Sequence, residues 1–374
     1  MPNLMDYLAW RGDLTLAADG WNAIDALAMA TLCYTDFPDA ALPGARWSLR
    51  ELAAMLPPAP ADNAHAVQRE ALLRRMAATN RFGGLMLRDF VNQVDTARSM
   101  QFSAVTADCP DGSTLVAFRG TDSTLVGWKE DFMMTFETPV PAQAAAAAYL
   151  QRAAASAAGP LRVTGHSKGG NLAVYAAMNA PEAAQARVEA IYSFDGPGLD
   201  DASIQSERYA RIRSRIFSFL PQASIVGLLL AYHPDYRVVK STAMGGISQH
   251  DTFTWQVEGP RFVEAEQVNR GSEAIDQALH EWLRECAPDQ RRVFVNTLFD
   301  ILQSTNAVQL SDMRRNVRGS ATAILEATRR VDPATGRMIW DLLGRFLQIG
   351  AGSLLELLGR KPEDGGAAPP QKTE

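Results

Sequence analysis

Leu161-Arg162-Val163-Thr164-Gly165-His166-Ser167-Lys168-Gly169-Gly170-Asn171-Leu172-Ala173-Val174-Tyr175-Ala176-Ala177-Met178 decides how the chain folds. Residues 161–164 have strand character, and 171–178 read as a good helix. Between them, glycines at 165, 169 and 170 surround a single serine. Strand, sharp turn and helix together expose a hydroxyl on a strained backbone, with glycines where a Cβ would strike neighbouring chain. The helix start just after Ser167 brings backbone N–H groups and a partial positive charge to the point where an oxyanion would form. A bare G-x-S-x-G arises by chance in roughly one chain in ten of this length, so the flanking strand and helix carry the specificity. A phosphate loop of the type GxxxxGK[ST] has no match here.

Outward from that turn, the chain alternates. Phe102–Ala107 and Ser113–Phe118 flank Pro110-Asp111-Gly112 and read as a β-hairpin. The alanine-rich stretch 141–158 predicts a helix. Strand candidates at 190–194, 215–220 and 236–240 then follow, separated by helical or loop segments. This pattern predicts an α/β fold with a mainly parallel sheet and helices on both faces. Residues 1–100 read as mostly helical, with a short helix at 71–76 and punctuation at Pro38, Pro43 and Pro57-Pro58-Ala59-Pro60. The organisation expected is therefore a helical segment over 1–100, a core over 101–258, a helical region over 259–358 and a disordered tail over 359–374. Apolar residues from Ile339 to Leu358 recur at helical spacing. That face reads as packed on the core, with a membrane-surface helix as the alternative.

The bulk composition narrows the classes. The chain has 374 residues, 47% hydrophobic and 21% charged, with a formal net charge of -6. This suits a soluble globular protein and gives no basic footprint for nucleic acid. Cys33, Cys109 and Cys286 are odd in number and form no CxxC pair, which argues against a disulfide framework and for a reducing compartment. The start, MPNLMDYLAWRGDL, lacks a basic region followed by an apolar block, and no apolar window of spanning length occurs. A cytoplasmic location is expected.

A serine hydroxyl attacks well only when an imidazole takes its proton and a carboxylate orients that imidazole. An elbow also needs a second oxyanion donor from an upstream loop. Phe118-Arg119-Gly120-Thr121, at the end of the hairpin, supplies a tight turn and a hydroxyl for it. On this reading Thr121 and Lys168 each offer a backbone N–H. FRGT followed by W-x-x-D, with a strand leading into GHSKGG, resembles the class 3 lipases, an α/β-hydrolase branch. The set MPNLMDYLAWRGDL, FRGTD, VTGHSKGGNLAVYAA, YSFDGPG, PQASIVG and QHDTFTW more closely resembles a bacterial family of lipase-like proteins described as a domain of unknown function. The resemblance covers roughly residues 1–257. It implies the α/β-hydrolase fold and a serine nucleophile; the helical additions at both ends are read from the pattern of the chain.

Five histidines allow elimination. His65 precedes the serine, whereas this fold runs Ser, acid, His. His166 lies inside the turn and His280 follows the sheet. His233 and His250 remain. His250 is preferred because it follows the last strand candidate and the Gly245-Gly246 loop, and it matches the family's HD segment. The resemblance would place the acid after 215–220, but Pro221-Gln222-Ala223-Ser224 has no carboxylate. Asp195, at the end of 190–194, is the best substitute. Asp251, Asp235 and a carboxylate-free dyad stay open. In the lipase pattern Asp131 pins the oxyanion loop. The expected chemistry is hydrolysis of a carboxylic ester, with an apolar acyl group implied by the resemblance alone. Ser167 attacks, His250 is base then acid, Asp195 orients it, and Thr121 with Lys168 holds the oxyanion. No metal or organic cofactor is implied, and the expected partner is a small or lipid-like ester. A thioesterase or amidase with the same residues, or a degenerate scaffold that only binds, are the alternatives.

Overall fold

A computed structural model describes residues 1–37, 44–122, 124–231 and 233–303. Its strands are β1 (Arg46–Ser48), β2 (Met86–Asp95), β3 (Met100–Asp108), β4 (Thr114–Phe118), β5 (Leu161–His166), β6 (Val188–Phe194), β7 (Ile216–Pro221), β8 (Arg237–Val239), β9 (Val257–Glu258), β10 (Arg261–Phe262) and β11 (Glu264–Ala265). A nine-stranded sheet runs β1-β2-β3-β4-β5-β6-β7-β8-β11, and β9 pairs with β10 apart from it. The centre, β4 to β8, is parallel. Antiparallel strands flank it on both sides. The helices are α1 (Leu4–Arg11), α2 (Ala23–Leu32), α3 (Leu49–Met55), α4 (Ala64–Ala77), α5 (Leu125–Met133), α6 (Pro141–Ser156), α7 (Lys168–Asn179), α8 (Glu182–Arg187), α9 (Asp201–Ile204), α10 (Glu207–Ile212), α11 (Arg270–Glu285) and α12 (Pro288–Gln303).

Strand alternation sorts the core into two layers. In β4, Leu115 and Ala117 join the core with α1 to α4, whereas Val116 and Phe118 join the one with α6 and α7. A strand apolar on both sides must be covered on both sides. Here the crossovers cover one face and the N-terminal helices the other. This is an α/β-hydrolase fold, with a parallel centre ending in the serine turn.

The N-terminal hundred residues are less helical than their pattern predicts. β2 runs from Met86 to Asp95, and its alternation is broken where Asp89 takes φ 54° and the register slips between Arg88 and Val91. A bulge there shifts the side-chain phase, which hides the strand from a period-two reading. The helix expected at 71–76 is the last part of the longer α4. The helical region expected from 259 begins with β10 and β11 before α11 and α12. The apolar helix at 339–358 and the tail from 359 lie outside the described residues.

Candidate active site

Ser167 follows the last residue of β5 and caps the start of α7. Its backbone stands at φ 59°, ψ -136°, a conformation costly for a residue with a Cβ. The neighbours tolerate it because they are glycines. A Cβ on Gly165 would fall 2.0 Å from the Gly169 oxygen, one on Gly169 2.2 Å from the Phe118 oxygen, and one on Gly170 2.5 Å from Ser193 Oγ. The Ser167 N–H is tied to the Phe194 oxygen at 2.9 Å, which fixes the turn to the next strand.

That next strand, β6, is followed by Asp195, a second residue with positive φ, 47°, whose N–H bonds the Phe219 oxygen at 2.8 Å. Its carboxylate is 1% exposed. Oδ2 lies 2.6 Å from His250 Nδ1. Oδ1 accepts from Ser224 Oγ at 2.5 Å and from Gly227 N at 3.1 Å. A carboxylate only accepts, so the His250 proton sits on Nδ1 and Nε2 is left with a lone pair. The Pro221–Ser224 segment, where the lipase pattern has its acid, therefore supplies one donor, Ser224 Oγ, and Gly227 just beyond it a second, to a carboxylate that follows the strand before. The rivals are occupied elsewhere. Asp251 Oδ1 caps the next helical turn at Phe253 N, 3.0 Å. Asp235 is a surface residue beside Arg213. His233 bonds Tyr209 Oη at 2.8 Å.

His250 meets the serine turn through His166. The two rings lie 4.4 Å apart at 37°, and His166 Nε2 is 2.8 Å from the His250 carbonyl. A carbonyl only accepts, so Nε2 of His166 carries the proton and Nδ1 accepts from Tyr34 Oη at 3.1 Å. Burial holds the His166 pKa well below its usual value, and the neighbouring His250 adds to this. Tyr34 also touches the upstream loop, since a Cβ on Gly120 would fall 2.1 Å from its hydroxyl and 2.8 Å from Ser167 Cβ. The FRGT loop therefore runs directly against the serine, and only a glycine fits at position 120.

Thr121 follows Gly120. Its hydroxyl donates to Asp131 Oδ2 at 2.6 Å, which differs from the expectation that this hydroxyl is free as a second oxyanion donor. The stronger acceptor, a carboxylate, takes the proton. The Thr121 methyl packs on Gly127 of α5, where a Cβ would lie 2.8 Å away. Burial pushes the Asp131 carboxyl up to about 6, against the pull of the Lys168 ammonium. Lys168 opens α7, so its N–H is one of the helix's orphan donors. Its side chain is fully buried and paired with Glu130. Tyr34 and Glu130 escape a reading by motif, because each reaches the site through a contact distant in sequence.

Among the described residues no helix is long and apolar enough to cross a membrane. No curated protein matches the chain. Solved structures similar to it include one titled as the crystal structure of M37 lipase, at 14% identity over 54% of this chain and 68% of that one, with TM-score 0.33. Another is the native propeptide complex of Rhizomucor miehei lipase, at 16% identity over 59% of this chain and 68% of that one, with TM-score 0.34. The family model described as Mbeg1-like matches residues 76–300, from the end of α4 through β2 to β11 and into α12. This match takes in the serine turn, the Asp195–His250 pair and more than half of the chain, and the protein belongs to the Mbeg1-like family.

Proposed function

We propose that this protein is a serine hydrolase that cleaves a carboxylic ester through an acyl-enzyme on Ser167. The observation that carries the reading is the 2.6 Å contact between His250 Nδ1 and a buried Asp195, beside a strained serine turn. In this reading His250 Nε2 takes the Ser167 proton as Oγ attacks the acyl carbon. The backbone N–H groups of Thr121 and Lys168 receive the developing oxyanion. The imidazolium then returns the proton to the leaving alkoxide, and water repeats the sequence to release the acid. Asp195 stabilises the imidazolium without itself being protonated. The missing carboxylate after Leu220 speaks for a degenerate scaffold, but Asp195 supplies a carboxylate at hydrogen-bond distance and removes that reason.

The test is covalent labelling of the purified protein with a fluorophosphonate, repeated on Ser167→Ala and His250→Ala. Labelling of the wild type and none of the Ser167 variant is expected. An unlabelled wild type would sink the hydrolase reading, and equal labelling of Ser167→Ala would mean another nucleophile. A panel of ester, thioester and anilide substrates separates esterase from thioesterase and amidase, with the ester turned over fastest.

A further inference from the structure

The lysine of the serine turn does more than lend its N–H. Its side chain leaves α7 and runs into the interior, where the ammonium is 0% exposed. There it donates to Glu130 Oε2 at 2.8 Å, the Gln101 carbonyl at 2.8 Å and Gln101 Oε1 at 3.0 Å. These use all three of its donors. Glu130, also 0% exposed, is held in turn by backbone donors: Oε2 accepts from Gln101 N at 3.0 Å and Oε1 from Ala142 N at 2.7 Å. One ion pair therefore joins the start of α7, the start of β3, helix α5 and the start of α6. Both charges of the cluster are matched within it, and the one donor left over is the buried Gln101 Nε2. What it fixes is position.

The elements it fixes are those that carry the two halves of the oxyanion hole. One half is the N–H of Lys168 itself. The other is Thr121, whose hydroxyl is held by Asp131, the residue after Glu130 on α5. The Lys168 ammonium lies 4.0 Å from Asp131 Oδ1, so both anchors of the loop face the same charge. Stability alone is a poor reason for such a pair, since apolar residues of similar size often serve as well in a core. Resting on the hydrolase reading above, we infer that Lys168 and Glu130 are positioning residues that set the spacing between the Lys168 and Thr121 N–H groups. The ion pair acts as a strut across the oxyanion hole.

The double variant Lys168→Met/Glu130→Leu removes both charges together, so neither is stranded. The expected result is a folded protein with a lower melting temperature, because the Gln101 and Ala142 N–H groups lose their acceptor, and an unchanged KM. The kcat falls by about 10²-fold, the scale of an ångström of misplacement. Affinity for a trifluoromethyl ketone, which mimics the tetrahedral state, falls in the same ratio. A purely structural pair predicts instead that the folded double variant keeps wild-type kcat and ketone affinity, and that result would overturn the inference. If the double variant does not fold, Glu130→Gln replaces it, being nearly isosteric. A lowered kcat at constant KM is then expected, and wild-type kcat overturns the strut. Failure of the wild type to react with fluorophosphonate is a separate outcome, which removes the hydrolase reading and the strut with it.

Discussion

Ser224 lies in the stretch 221–224 where the lipase pattern has its acid, and its hydroxyl donates to Asp195 Oδ1 at 2.5 Å. A hydrogen bond to a charged group contributes about 1.5–3 kcal/mol. Ser224→Ala should therefore lower kcat by about tenfold with little change in KM, measured by steady-state ester hydrolysis. Asp195→Asn should lower kcat much further, by up to about 10⁴-fold, because an amide can present N–H to Nδ1 and leave the imidazole in the wrong tautomer. A near-normal rate would remove Asp195 from the reaction. Asp131 makes a different prediction, about stability. Its pKa is raised by burial to about 6, so the folded state favours the neutral acid. The stabilisation of the neutral form is complete below the unfolded pKa near 4 and is lost as pH rises through about 6. Above that, the wild type carries a penalty that Asp131→Asn lacks. With the side chain 25% exposed, the variant should gain about 1–2 kcal/mol at pH 8 and nothing at pH 4, read from denaturant midpoints at the two pH values. An equal effect at both pH values would mean the carboxyl does not titrate there.

At the scale of elements, β5 holds the loop that carries His250 through a side chain rather than through sheet pairing. His166, the last residue of β5, donates to the His250 carbonyl at 2.8 Å, and Tyr34, just after α2, fixes the other ring nitrogen. His166→Leu should free the 245–251 backbone, seen as faster amide exchange there, and lower kcat. His166→Gln, which keeps a donor, should restore part of both. Unchanged exchange in the leucine variant would show that the loop stands without this bond. The same residues explain what the sequence could and could not disclose. Strands β4 to β8 were legible because buried parallel strands are short apolar runs between turn signals. The serine turn was legible because its glycines are forced by contacts within a few residues or with the adjacent strand. The pairing of Asp195 with His250 was legible only by default, from the empty place after Leu220. Tyr34 and Glu130 left no local mark: a tyrosine after a helix and a glutamate within one look ordinary until the fold brings them to residues 166 and 168. β2 was hidden by the bulge at Asp89.

For the whole molecule, the question is what holds the N-terminal helices on the sheet that they cover. Apolar packing contributes most of it, through residues such as Ile24, Leu27, Leu72 and Phe82, all fully buried. A polar network lies within that layer. Arg81 Nε donates to Asp25 Oδ1 at 2.7 Å and Nη2 to Oδ2 at 2.5 Å, a bidentate pair with both side chains 0% exposed. Arg81 also donates to the Asp19 and Gly20 carbonyls at 2.8 Å, and Tyr7 Oη donates to Asp25 Oδ1 at 2.7 Å. The guanidinium thus binds the loop before α2 to the start of α2, while Tyr7 ties α1 to the same carboxylate. Further along, α2 rests on β5, where Thr164 Oγ1 donates to the Ala26 carbonyl at 3.0 Å. Removing one partner of a buried pair strands the other charge and costs about 3–5 kcal/mol. Arg81→Leu should therefore lose about that much unfolding free energy in urea, a large share of what a domain has to spare. Asp25→Leu should lose a similar amount. The double variant should lose much less than the sum, since no charge is left alone in it. A loss below about 1 kcal/mol in Arg81→Leu, or strict additivity in the double variant, would mean that apolar packing alone fixes this layer over the sheet.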